Sequence, residues 1–358
     1  TGPSGRTSGN VPTIDVLKQC CNLQLLLAPE HGVRGDKAAG ALFADEIDES
    51  SGLPVRSLYT KDSKRLSRET LALFDTLVYD IADVGCRYYT FLTTLRYCIE
   101  DCAAAGKRLV VLDRPNPLGD RVEGGIVRPD VISFVGGYEM PVCYGLTCGE
   151  LAEMMNRELH CGCDLHIVPC AGLTRSMTFR DWGHCWVMPS MGIPRFETAL
   201  LYPGTCLIEG TNCSEGRGTG DPFGIIGAPF IQAEAFCEAF NALGCPGLEA
   251  TPVYFTPTAS KHQGVLCGGI QLHILNETVL EPVAMGVRLL DLLRRMYPKD
   301  FAFLPPVRED GKIFLSLLAG HRDFEKPDWD ADALLARYAE ESARFRPRKA
   351  AYERYPKE

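Results

Sequence analysis

The sequence predicts an α/β fold, with a doubly wound, mostly parallel sheet followed by a smaller α+β region. Two observations predict the sheet. Strand-length apolar runs recur through the first half, at residues 23–27, 76–81 and 108–112, and helical patterns separate them. Nearly continuous apolar strands suit a sheet covered on both faces, and alternation of strand and helix is the pattern of βαβ units. A third observation bears on function. Each of these runs empties into a polar loop, and ligands of such sheets bind beyond the carboxyl ends of the strands.

In order, residues 14–21 read as a short helix. Residues 23–27 are apolar apart from Gln24 and lead into Pro29-Glu30-His31-Gly32. A helix at 68–74 precedes the strand at 76–81, which leads into Asp83-Val84-Gly85. The helix at 89–105 ends at Gly106, a favoured C-cap residue. The strand at 108–112 runs into Asp113-Arg114-Pro115-Asn116-Pro117. Thr147 with Glu150 forms a capping box that opens a helix to about residue 159. Residues 164–169 make a further strand. Beyond about Leu200 the pattern changes, with helices at 231–243, 283–297 and 330–345 and a strand at 270–275. This divides the chain into residues 1–200 and 201–358, as its 358 residues suggest.

Composition narrows the function. Apolar content of 46% and charged content of 23% are those of a globular protein with ample core. A net charge of −9 and the lack of a basic run argue against nucleic acid as a partner. No apolar run is long enough to span a membrane. Sixteen cysteines, many in apolar settings, read as reduced thiols of a reducing milieu. His160-Cys161-Gly162-Cys163-Asp164-Leu165-His166 resembles a metal site but lacks a second cysteine pair, so a chance cluster outranks zinc. Nucleophile-elbow, metalloprotease and phosphate-loop signatures are absent, and Gly216-Arg217-Gly218-Thr219-Gly220 lacks the spacing of a dinucleotide fingerprint.

What remains is carboxylates, arginines, aromatics and amides, the inventory of sugar chemistry. Residues 209–219 read EGTNCSEGRGT, too polar for a core segment. Glycoside hydrolysis uses one carboxylic acid on the leaving oxygen and a second group at the anomeric centre. Glu30, beside apolar Leu27 and Ala28, is the candidate acid, and it also suits an N-cap or an ion pair with Arg34. Glu215, Glu209, Asp80 and Asp83 compete for the second role. Arg34, Arg87 and Arg217 suit a substrate carboxylate, and equally suit internal ion pairs with these acids. Tyr88 and Tyr89 suit stacking on a sugar or packing in the core. Asn116, between two prolines, suits a ligand or a turn cap.

Five phrases carry a family resemblance: PEHGVRG (29–35), YDIADVGCRYYTFLTTL (79–95), VLDRPNPLG (111–119), YGLTCGELA (144–152) and YPGTCLIEGTNCSEGRGT (202–219). In this order, and through residues 329–355, the chain resembles the exo-β-N-acetylmuramidase family of the NamZ type. The resemblance implies a Rossmann-like first domain, a smaller α+β lid domain and no cofactor. It implies release of N-acetylmuramic acid from the non-reducing ends of peptidoglycan fragments such as MurNAc-GlcNAc, and location in the cell envelope. It points to Glu30 as the catalytic glutamate. Glu215 and Asp83 are the other catalytic candidates. His31, Arg34, Asp80, Arg87, Tyr88, Asn116, Glu209, Asn212 and Arg217 are the substrate-binding candidates. It also implies a strand ahead of residue 1, and family members often carry Glu where Gly224 stands. The alternative expectation is a non-catalytic muropeptide- or sugar-binding protein on the same scaffold. A nucleotide-dependent enzyme is a weaker third.

Overall fold

Strands and helices alternate through the first half of the chain. A computed structural model describes residues 1–37, 44–61, 63–306 and 311–358. Helix α1 (Thr13–Cys20) precedes β1 (Leu26–Ala28), β2 (Glu46–Asp48) and β3 (Leu53–Ser57). Then come α2 (Arg68–Leu71), β4 (Thr76–Tyr79), α3 (Phe91–Ala105), β5 (Arg108–Leu112), β6 (Val122–Glu123), β7 (Cys143–Tyr144), α4 (Cys148–Glu158) and β8 (Asp164–Val168). The rest is α5 (Phe196–Thr205), β9 (Ile225–Ala228), α6 (Ala233–Ala242), β10 (Leu248–Phe255), β11 (Cys267–Ile274), α7 (Pro282–Met296), α8 (Phe314–Ala319) and α9 (Ala331–Ala350).

The protein is thus mixed α/β with a parallel sheet. Strands β4, β5 and β8 pair in parallel in that order, with Leu77 opposite Leu109 and Leu109 opposite Leu165. Strand β1 pairs in parallel with β3, and β2 runs antiparallel on β3's other side. Among the described residues these are two three-stranded sheets rather than one. Residues 1–5 pass between them. The Thr1 ammonium donates to the Leu27 carbonyl at 3.3 Å, and Ser4 Oγ accepts from the Ala82 N–H at 3.3 Å. The second half has an antiparallel sheet, β10-β11-β9.

Local chemistry sets the element ends near the site. Helix α3 stops at Gly106, whose φ of 63° is the left-handed conformation glycine adopts without strain. Thr147 and Glu150 close the capping box that starts α4. Helices α3 and α4 pack together over β5 and β8. One apolar cluster runs from Tyr79, Leu95 and Leu109 in the first half to Phe240, Leu289 and Phe345 in the second, so the two halves share a core. All sixteen cysteines are free thiols. Among the described residues no helix is long and apolar enough to cross a membrane, and no group of three or more His, Cys, Asp or Glu could hold a metal ion.

Candidate active site

Glu30 lies two residues beyond β1, a strand buried along its whole length. The chain turns sharply there. The Gly32 N–H bonds the Pro29 carbonyl at 3.1 Å, and His31 and Gly32 have φ of 74° and 76°. The turn delivers the Glu30 carboxylate to the start of α3, where Thr90, the N-cap residue, donates its hydroxyl at 3.2 Å. Helix N-termini favour negative charge. His31 is held by a contact of 3.3 Å between Nδ1 and the Lys37 carbonyl.

A cavity of about 240 Å³ opens beside Glu30. Its wall includes Tyr88 and Tyr89 from the first half, and Tyr202, Glu209, Arg217 and Phe223 from α5 and the polar segment after it. Arg217 binds Glu209 at 2.6 Å and lies 3.3 Å from Glu215. Lys61's neighbours contribute a further cation, Lys64, whose ammonium sits 3.7 Å from the Phe134 ring centroid. Among the described residues, the carboxylates of Glu30 and Glu209 and the cations Arg217 and Lys64 thus line one aromatic-walled space. Burial, only partly offset by Arg217, raises the pKa of the Glu209 carboxyl. Burial lowers the pKa of Lys64, while the charge of Glu30 raises it.

The glycines explain the shape of the 209–219 segment. Gly216 and Gly218 have φ of 79° and 78°. A Cβ on Gly216 would meet the Ile225 and Asp221 carbonyls at 2.7 and 2.8 Å. Paired backbone bonds of 2.8 and 3.1 Å between Ser214 and Gly227 pin the segment to β9. Glu215 sits behind Arg217, buried to 2% exposure, and is also paired with Lys261 at 2.8 Å.

Of the remaining sequence candidates, Tyr88 lines the same cavity and the others lie elsewhere. Arg87 is fully buried and donates to the carbonyls of Gly125, Met140 and Leu318, so it is not available to a substrate. Arg34 makes a two-pronged pair with Asp48 at 2.7 and 2.8 Å, not with Glu30. Asp80 is buried against Arg114. Asn116 spends its amide on the Leu146 carbonyl and the Leu118 N–H, so it shapes a turn. Asn212 ties its segment to Asp300 and Ala302. Tyr88 is among the residues lining the cavity, and its hydroxyl donates to the Pro203 carbonyl. Asp113 caps the start of α4 through the Gly149 N–H and the Thr147 hydroxyl. Asp83 accepts from the Tyr144 hydroxyl and from the Gly85 N–H at 2.6 Å, and it lines a different, larger cavity. Burial raises its carboxyl to about 7.

Sequence reasoning missed Lys64, Phe134 and Tyr202. Tyr202 opens a quoted phrase, but nothing in an apolar helix marks one tyrosine as cavity-lining. Lys64 belongs to Lys61-Asp62-Ser63-Lys64-Arg65, which reads as a solvated run.

Two carboxyls and two cations in an aromatic pocket, among the described residues, suit acid–base chemistry on a polar substrate. The two models of the exo-β-N-acetylmuramidase NamZ family match this chain, the N-terminal model over residues 1–197 and the C-terminal model over residues 200–355. The chain belongs to that family. It is 43% identical over 307 residues to the peptidoglycan β-N-acetylmuramidase NamZ of Bacillus subtilis (strain 168), covering 85% of this chain and 74% of that protein. Two crystal structures of DUF1343 family proteins from Bacteroides fragilis NCTC 9343 are similar. One has a TM-score of 0.89 and 32% identity, covering 99% of this chain and 92% of that one. The other has a TM-score of 0.78 and 29% identity, covering 100% and 93%.

Proposed function

We propose that the protein is an exo-acting glycoside hydrolase that releases N-acetylmuramic acid from the non-reducing ends of peptidoglycan fragments. Family membership and the Bacillus subtilis relative support the activity. The observation that carries the residue assignment is convergence. Glu30 from the first half and the Glu209–Arg217 pair from the second line one cavity.

In this reading Glu30 protonates the leaving glycosidic oxygen. Glu209 supports the oxocarbenium-like anomeric carbon, and Arg217 holds it in place. Glu215 acts through Arg217 rather than on the sugar. Lys64 meets the lactyl carboxylate that distinguishes muramic acid from glucosamine. The finer architecture belongs to the same proposal. We read the parallel strands as parts of a Rossmann-like, doubly wound layout, residues 1–200 as the catalytic domain and residues 201–358 as its lid. The lid reading is supported by the second half's contribution of Glu209, Arg217 and Phe223 to the cavity wall.

The test is Glu30→Gln, assayed on the MurNAc-GlcNAc disaccharide with mass analysis of the products. Loss of positioned proton transfer lowers turnover by roughly 10²–10⁴-fold. Near-normal turnover removes Glu30 from the mechanism.

A further inference from the structure

The connection between β10 and β11, residues 256–266, reaches back to the polar segment beside the Glu30 cavity. The Thr258 N–H and hydroxyl both donate to the Gly218 carbonyl, at 2.9 and 2.8 Å. His262 Nε2 lies 2.6 Å from the Asn212 carbonyl. Next to it, the Lys261 ammonium donates to the carbonyls of Ile208 and Thr211 at 2.9 and 3.0 Å. The connection thus grips the stretch 208–218 at both ends.

The grip strains the backbone. Ser260 and His262, on either side of Lys261, have φ of 67° and 59°. Residues other than glycine rarely take this conformation, and it persists where surrounding contacts over-determine it, as they do at functional sites. Lys261 and His262 are half-buried between exposed neighbours.

Lys261 begins a chain of alternating charge. Its ammonium stands 2.8 Å from Glu215, Glu215 lies 3.3 Å from Arg217, and Arg217 lies 2.6 Å from Glu209. Side-chain exposure is 2% at Glu215 and 20% at Glu209, so the chain runs from a sealed carboxylate to one that lines the cavity. A buried carboxylate needs a positive partner. Were Arg217 its partner alone, two carboxylates would share one guanidinium. With Lys261 on Glu215, Arg217 donates from both Nε and Nη2 to Glu209 Oε1, at 3.2 and 2.6 Å. Burial raises the Glu209 carboxyl, and the charges of Arg217 and Lys261 are among those that pull it back.

We infer that Lys261 is a positioning residue of this site, which holds Glu215 so that Arg217 fixes the Glu209 carboxylate for its work at the anomeric carbon. This rests on the muramidase reading above. Lys261 acts through Glu215, not on the sugar.

Turnover of MurNAc-GlcNAc by the full chain tests the role. A direct electrostatic contact on the transition state is worth roughly 10²–10³-fold in kcat. Acting at one remove, Lys261→Met is expected to lower kcat about 10–100-fold and to keep KM within about threefold. Lys261→Gln keeps a donor for the carbonyls but no charge, and its kcat falls as far. His262→Asn suits the left-handed backbone, gives up the imidazole contact with Asn212, and leaves kcat within about twofold. The losses at Lys261 and Glu215 do not add, so Lys261→Met on top of Glu215→Gln costs at most about a further threefold. Calorimetry checks that each variant is folded at the assay temperature, and Lys261→Gln carries the test alone where Lys261→Met does not fold. Near-parent kcat in Lys261→Gln overturns the role. So do equal losses in Lys261→Gln and His262→Asn, which mark a loop that only packs, and so do fully additive losses with Glu215→Gln. If the unaltered protein does not cleave the disaccharide, the muramidase reading fails and takes this role with it. Cleavage by the parent beside any of those three results sinks the role alone.

Discussion

Among the described residues, Lys64 and Arg217 line one small cavity with Glu30 and Glu209. Arg217 is bound to Glu209, whereas Lys64 rests on the Phe134 ring with no ion pair among the described residues. A cation held on an aromatic face is ready for a substrate carboxylate. Lys64→Met is therefore expected to raise KM for a muramic acid glycoside about tenfold while sparing kcat, the signature of lost uniform binding. The matching N-acetylglucosaminide lacks the carboxylate, so its KM stays near the parent value. Steady-state kinetics on the two glycosides check this, and equal changes on both would mean that Lys64 only packs. Residue type in the sequence located Glu30, Tyr88, Glu209 and Arg217, which do meet in one cavity. It did not separate them from Arg87 or Asn116, because a polar group's partner is set by the fold. An arginine that feeds three buried carbonyls looks, in one dimension, like an arginine waiting for a ligand.

Helix α7 shows how an element's end carries a pH-dependent contribution. Its first turn begins at Pro282, and the Ala284 N–H donates to Glu123 Oε1 of β6 at 2.9 Å. Burial pushes the Glu123 carboxyl up to about 7, against pulls from the Ala284 N–H and Arg121. A raised carboxyl binds its proton more tightly in the folded chain than in the unfolded one. Its contribution is therefore fully present below the unfolded value of 4.5 and is lost as pH climbs to about 7. The size is on the order of 3 kcal/mol. Asp83, also raised to about 7 by burial, acts in the same direction. Glu123→Gln keeps an acceptor for Ala284 and removes the titration. The variant should show a flatter dependence of stability on pH between about 4.5 and 7, read by urea unfolding across that range. Elements with amphipathic or capped patterns, such as α3 and α4, were legible in the sequence. Helix α5 was not. All but one of its residues are buried, which erases the periodicity, and it contains Pro203. Gly204 explains why the helix persists in this form. A Cβ there would stand 1.9 Å from the Pro282 carbonyl, so α5 and α7 approach closer than any side chain permits. That requirement belongs to the packed pair and leaves no mark on either segment alone.

At the scale of the molecule, the chain's last residues return to its first half. From α9, Arg348 pairs with Glu158 and Lys349 with Asp120, and beyond the helix the Tyr355 hydroxyl donates to Asp113 at 2.6 Å. This return was not legible in the sequence. It depends on contacts about 200 residues apart, such as Arg354 with Glu150 and Glu153. Arg87 joins the halves from within, since its guanidinium binds Gly125 and Met140 in the first half and Leu318 in the second. Burial lowers its pKa, yet its carbonyl partners offer good acceptors for the charged form. Replacing it by methionine would leave three buried carbonyls without that donor, at about 1–3 kcal/mol for each group left unsatisfied, less the desolvation no longer incurred by the charge. The net loss for Arg87→Met is expected at about 3–5 kcal/mol. Because the core is continuous, the loss should appear as one transition moved to lower temperature, not as two. Calorimetry checks the number of transitions, and emission from Trp182 and Trp186 in one half against Trp329 in the other checks that both halves unfold together. Separate transitions in the parent protein would show that the shared core does not couple them. The Glu30 cavity would then form by docking of two independent bodies, and its activity would vary separately from the stability of either.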